Sequence, residues 1–113
     1  MRMWMVPPEI MCRQHLLGEH VELHMLVGSI KKGRSIDGFL AQRILEPSAI
    51  NERHEALTVE MTQRGYSHKS PLIVPELSHQ ANQIMVDAGA SLLELLRRCP
   101  NCLSLYVAAK ASK

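Results

Sequence analysis

The sequence predicts an all-α fold, a compact single domain of about three helices. Three observations predict it: apolar residues recur at helical spacing in three long stretches, glycine or proline bounds those stretches, and no pair of alternating runs offers a sheet. At 113 residues and 46% hydrophobic content, the chain suffices for one core without metal or disulfide staples. Residues 1–113 are therefore read as one domain with no internal repeat.

The first helix is expected from Pro8 to Ser29, where Leu16, Leu17, Val21, Leu23, Met25 and Leu26 alternate with charged residues until Gly28 and Ser29 weaken continuation. Lys31 to Gly38 has the glycines and small polar residues of a surface loop, and Gly38 to Leu45 fits a short helical turn before Pro47. The second helix starts at Pro47-Ser48, carries Ile50, Ala56, Leu57, Val59 and Met61, and ends on Arg64-Gly65, a cation in the last turn with glycine at the stop. Tyr66 to Pro75 is a connection, because its Leu72-Ile73-Val74 run is too short and proline-bound for a central strand. The third helix runs from about Ser78 to Arg98, with Ile84, Met85, Val86, Leu92, Leu93, Leu95 and Leu96 on its apolar side and a bend at Gly89.

Thirteen Lys and Arg against eleven Asp and Glu permit a polyanionic partner but fall short of a committed nucleic-acid binder. Cys12, Cys99 and Cys102 are an odd number, which argues for reduced thiols in a cytosol-like compartment. No apolar stretch reaches the roughly 20 residues that cross a bilayer, so no membrane partner is expected. Met1 to Val6 resembles the start of a leader, but its apolar run stops at Pro7-Pro8 and it reads as part of the mature fold.

Ionisable groups concentrate between Arg13 and His24. His15, Glu19 and Glu22 share one helix face, which spacing alone makes an ordinary polar face ahead of a catalytic one. His20 and His24 form another i, i+4 pair that could ligate metal, yet the H-E-x-x-H order is absent and partly buried or exposed histidines are the simpler reading. Cys99-Pro100-Asn101-Cys102 looks like half of a zinc knuckle or a redox pair. A four-ligand site needs a second pair, and only Cys12 with a choice of histidines is available, so a helix-ending turn with packed cysteines is preferred and no metal or cofactor is expected. The basic pieces Lys31-Lys32-Gly33-Arg34, His68-Lys69 and Arg97-Arg98 read as solvated surface, or as a phosphate-contacting rim if the fold gathers them.

Arg13 to Leu23 (RQHLLGEHVEL) resembles the Q-H-L-x-x-E-x-x-E-L stretch in the first helix of the phage endonuclease V type of pyrimidine-dimer DNA glycosylases. Met1-Arg2-Met3-Trp4 resembles the M-R-L-W start of bacterial members, His54 to Leu72 resembles their second helix with its R-G-Y exit, and Arg98-Cys99-Pro100 falls where the phage enzyme has an R-P step. The resemblance implies an endonuclease V-like helical fold, a DNA glycosylase with abasic-site lyase activity, and the N-terminal α-amine, here that of Met1, as nucleophile. Glu22 occupies the acid/base position. Arg2, Gln14 and His15 match positions that contact DNA or line the site, and Lys31, Lys32, Arg34, Lys69 and Arg98 are candidates for phosphate contact. The partner implied is duplex DNA carrying a damaged base, with pyrimidine dimers as the family substrate, or an abasic site. A monomer is expected, acting in the cytoplasm or, if virus-encoded, in that of the host.

An α-amine suits the role, since its reference pKa of about 8 leaves a useful fraction unprotonated at neutral pH. Removal of Met1 is not expected, because Arg2 is large. Two departures set this chain apart: arginines flanking the family glutamate are replaced by Val21 and Met25, and the aromatic tail is reduced to Leu103-Ser104-Leu105-Tyr106. Both weaken electrostatic scanning of undamaged DNA. The alternative reading is a non-catalytic DNA- or protein-binding module on the same fold.

Overall fold

The proline pair decides how the chain enters its first helix. Pro8 opens a 3₁₀ turn, Pro8–Ile10, Met11 is extended, and Cys12 takes the N-cap position of α1 (Arg13–Lys31). Helix one thus begins at Arg13 rather than Pro8. It closes through Lys32 onto Gly33, whose φ of 72° is the left-handed conformation that glycine adopts without a steric penalty. The structure is a computed structural model that describes residues 2–67 and 71–111, with no strand among them.

A short α2 (Asp37–Ala41) follows, then a second proline-initiated 3₁₀ turn, Pro47–Ala49, leading into α3 (Ile50–Gln63). Gly65, at φ 86°, ends α3 as its position predicts. The third expected helix is broken. Ser78 caps α4 (His79–Asn82) by accepting from the Ala81 amide at 3.1 Å, the chain then leaves the helix, and Asp87 caps α5 (Ala88–Arg98) by accepting from the Ala90 amide at 3.0 Å. Between them the Val86 amide donates to Glu46 Oε1 at 2.9 Å, which fixes the break before Asp87, while Gly89 sits unbent in the first turn of α5. The anticipated stop at Cys99 is a corner: α6 (Pro100–Ala111) starts there with proline in its first turn, where the missing N–H is no loss. All-helical architecture is as expected, but the helices number six among the described residues, not three.

One core joins these elements, with Leu16, Leu23 and Leu26 of α1 packed against Ile50, Leu57 and Met61 of α3, and Leu95 and Cys102 closing it from α5 and α6. The N-terminal segment passes through the middle of this assembly, burying Met3, Trp4 and Val6. Its backbone is paired at almost every step. The Met3 amide donates to the Ile44 carbonyl at 2.8 Å, Ser91 Oγ to the Trp4 carbonyl, and Arg53 Nη1 to the Val6 carbonyl at 2.6 Å. Met5, between two buried neighbours, is held at φ 55°, a left-handed conformation that non-glycine residues seldom take.

Candidate active site

The two glutamates of α1 hold this N-terminal strap, and they do so in different ways. Glu19 is 1% exposed and fully engaged: Arg53 donates from Nε to Oε2 at 2.6 Å and from Nη2 to Oε1 at 2.9 Å, and the Trp4 amide donates to Oε1 at 3.2 Å. The polar helix face expected from spacing is therefore a buried ion pair at this position. Glu22, one turn on, is half-buried and accepts from the Arg2 amide through Oε2 at 3.1 Å. Met1 itself lies outside the described residues, as does Lys69.

Arg2 and Arg98 converge on the Trp4 ring, with guanidinium carbons 4.0 and 6.0 Å from its centroid. Burial, and then the like charge of Arg98, hold the Arg2 guanidinium below its ordinary pKa, with Glu94 pulling the other way. Arg2 Nε is buried with no hydrogen-bond partner among the described residues. Arg98 and Arg97 both clamp Glu94 from the next turn of α5, and their hydrogen bonds pull that carboxylate down to about 2. A cleft of about 340 Å³ opens beside Arg2, lined also by Arg43, Asp87, Ser91 and Glu94. Its volume falls in the range of small-ligand sites. A larger depression of about 540 Å³ between Pro47, Asn51, Val74 and Glu76 is remote from the Arg2–Glu22 contact in its lining and gathers no cluster of ionisable groups.

The other candidate DNA contacts spread along α1. Gln14 is exposed at its start, whereas Lys31, Lys32 and Arg34 are exposed at and beyond its end. At 1.5 Å of rise per residue, Gln14 and Lys31 stand about 25 Å apart, so these side chains do not form one cluster. Val21 and Met25 are 54% and 56% exposed on the same helix.

Histidines and cysteines are brought together in two groups. His20 and His24 of α1 meet His54 of α3, with ring centroids 4.8 to 5.2 Å apart, so His20 and His54 are buried rather than exposed. His15 turns Nδ1 toward the sulfurs of Cys12 and Cys102 and sets its ring edge-on to Trp4 at 5.9 Å. Burial pushes the Cys102 thiol up to about 12. Burial also works to raise Cys99, but hydrogen bonds from the Cys102 amide and from neighbouring thiols outweigh it and hold Cys99 below the ordinary range.

Sequence reasoning missed Arg53 and Ser91 as groups that fix the strap. Nothing in the spacing of Arg53 relates it to Glu19, 34 residues away.

No curated protein and no solved structure matches the chain. No helix among the described residues is long and apolar enough to cross a membrane. The model of the pyrimidine dimer DNA glycosylase family matches residues 1–74, which covers the strap, both α1 glutamates and all of α3, and by that match the chain belongs to this family.

Proposed function

We propose that the protein is a DNA glycosylase and abasic-site lyase in which the α-amine of Met1 attacks sugar C1′ and Glu22 manages charge and protons. The observation that carries this reading is the hydrogen bond from the Arg2 amide to Glu22. Met1 directly precedes Arg2 in sequence, so the hold of Glu22 on the Arg2 amide supports pairing this carboxylate with the Met1 amine. Glu19 is a weaker candidate, because both its oxygens are committed to Arg53 and Trp4.

In this reading the amine lone pair forms the N–C1′ bond as the glycosidic bond breaks and the base departs. Glu22 stabilises the positive charge that develops on the sugar and accepts the amine proton. Ring opening gives a protonated imine. Glu22, having passed its proton to O4′ as the ring opens, takes a C2′ proton as the C3′–O bond breaks and the 3′ phosphate leaves, and water hydrolyses the imine to release the protein from the cut strand. To reach C1′ the nucleotide must leave the stack, and Arg2 and Arg98 flanking Trp4 offer cations for the adjoining phosphates. The substrate supported by family membership is a pyrimidine dimer in DNA.

Sodium borohydride reduction of untagged protein with dimer-containing or abasic duplex tests the proposal. A lyase yields a covalent protein–DNA adduct and cut strands. Binding with neither product would establish instead the non-catalytic module that the exposed Val21 and Met25 favour.

A further inference from the structure

We propose that Cys12, His15, Cys99 and Cys102 form a closed tetrahedral zinc site that clamps the start of α1 to the α5–α6 corner. The sequence offered one C-x-x-C pair and no evident second half, hence the expectation of no metal. The fold supplies the second half as Cys12-Arg13-Gln14-His15. Each pair straddles a helix start in the same register, with a cysteine at the N-cap position and the second ligand three residues on. The Leu16 amide bonds the Cys12 carbonyl at 2.9 Å and the Leu103 amide bonds the Cys99 carbonyl at 3.0 Å, which makes the two starts equivalent.

The donor atoms lie within 4.8 Å of one another. Cys12 Sγ is 3.8 Å from Cys99 Sγ, and His15 Nδ1 is 3.2 Å from Cys12 Sγ and 3.7 Å from Cys102 Sγ. Tetrahedral zinc with Zn–S of about 2.3 Å and Zn–N of about 2.0 Å requires S···S near 3.8 Å and S···N near 3.5 Å. A disulfide would need about 2.05 Å, and all three cysteines are free. Backbone amides already point at the sulfurs: Cys12 N–H donates to Cys102 Sγ at 3.2 Å and Cys102 N–H to Cys99 Sγ at 3.4 Å. Such N–H···S bonds, with two helix N-termini directed at the cluster, would offset the negative charge carried by zinc-bound sulfurs. Loading Zn²⁺ releases the three thiol protons to solvent and leaves a ZnCys₃His centre of net charge −1.

All four positions are filled by protein, so the centre is structural rather than catalytic. Its consequence is mechanical. Cys12 and His15 lie inside the segment matched by the family model, Cys99 and Cys102 outside it, so the ion fastens the C-terminal helices to the part that carries Glu22. His15, edge-on to Trp4, becomes a ligand that also steadies the strap. The inference does not depend on the glycosylase reading.

The test uses the full chain, purified without a tag or chelator under reducing conditions. Elemental analysis is expected to find about one zinc per chain, and zinc-edge X-ray absorption three sulfurs at about 2.3 Å and one nitrogen. Replacing zinc with cobalt should produce intense sulfur-to-metal charge transfer, which the His20, His24 and His54 group cannot give. The double variant Cys99→Ser/Cys102→Ser should lose the metal. Metal-free protein that takes up no zinc when it is added, a first shell of nitrogens without sulfur, or iron in place of zinc would each overturn the proposal. Because the absorption and cobalt measurements are made on the unmodified sequence, misfolding of the double variant does not affect them.

Discussion

Arg53→Met tests whether the N-terminal strap is held by the buried ion pair. The substitution keeps the aliphatic bulk of the side chain and removes three donors: two to Glu19, at 2.6 and 2.9 Å, and one to the Val6 carbonyl at 2.6 Å. Glu19 is then left as a carboxylate in a site where its side chain has no exposure. Removing one partner of a buried pair costs about 3–5 kcal/mol, and the orphaned carbonyl adds to that. Against a total stability of about 5–15 kcal/mol this is a large fraction. With a urea slope of about 2 kcal/mol per molar, the unfolding midpoint should fall by about 2 M. The single tryptophan, Trp4, is 6% exposed within the strap, so its fluorescence reports the transition directly. Glu19→Gln/Arg53→Met should recover part of the loss, since no charge is left buried. A midpoint shift below about 0.5 M for the single variant, corresponding to about 1 kcal/mol, would refute the reasoning.

Glu22→Gln keeps an oxygen to accept from the Arg2 amide, so unfolding should be unchanged while single-turnover strand cleavage falls by about 10²–10⁴-fold. Val21→Arg and Met25→Arg fall on exposed positions, so each should alter stability by under about 0.5 kcal/mol and steepen the dependence of log K on log salt for undamaged duplex by about 0.9. Arg2→Ala should reduce that slope by about the same amount. Glu94 should remain ionised to about pH 2 by carboxyl NMR titration. Its folded value lies below the unfolded one, so any stabilisation by the clamp is present above ordinary carboxylate titration and disappears as pH falls through about 2. Arg97→Ala/Arg98→Ala should return the midpoint toward the ordinary range.

Helical periodicity made α1 and α3 legible, because each buries a regular stripe, and α3 ends on Gly65 as expected, whereas α1 runs through Gly28 and Ser29 to Lys31 and closes on Gly33. The third helix misled for the same reason. Ile84, Met85 and Val86 continue the apolar pattern of α5, yet Asp87 is an N-cap and the three residues before it lie outside any helix. Pro100 was read as a stop, whereas a proline just after a helix end serves equally as the first residue of the next helix. Glu22 and Arg2 were singled out through family resemblance, and the strap brings the Arg2 amide into hydrogen-bond contact with Glu22. Glu19 pairing with Arg53, and Cys12 with His15 meeting Cys99 and Cys102, depend on tertiary packing between segments whose separation in sequence carries no local signal.

The claim that the N-terminal amine is the nucleophile is tested most directly by locating the borohydride-stabilised bond. Untagged protein trapped on abasic or dimer-containing duplex should, after nuclease and protease digestion, carry the deoxyribose remnant on the α-nitrogen of Met1, and N-terminal acetylation should abolish trapping. A remnant on a lysine side chain, or undiminished trapping by the acetylated protein, would contradict the account.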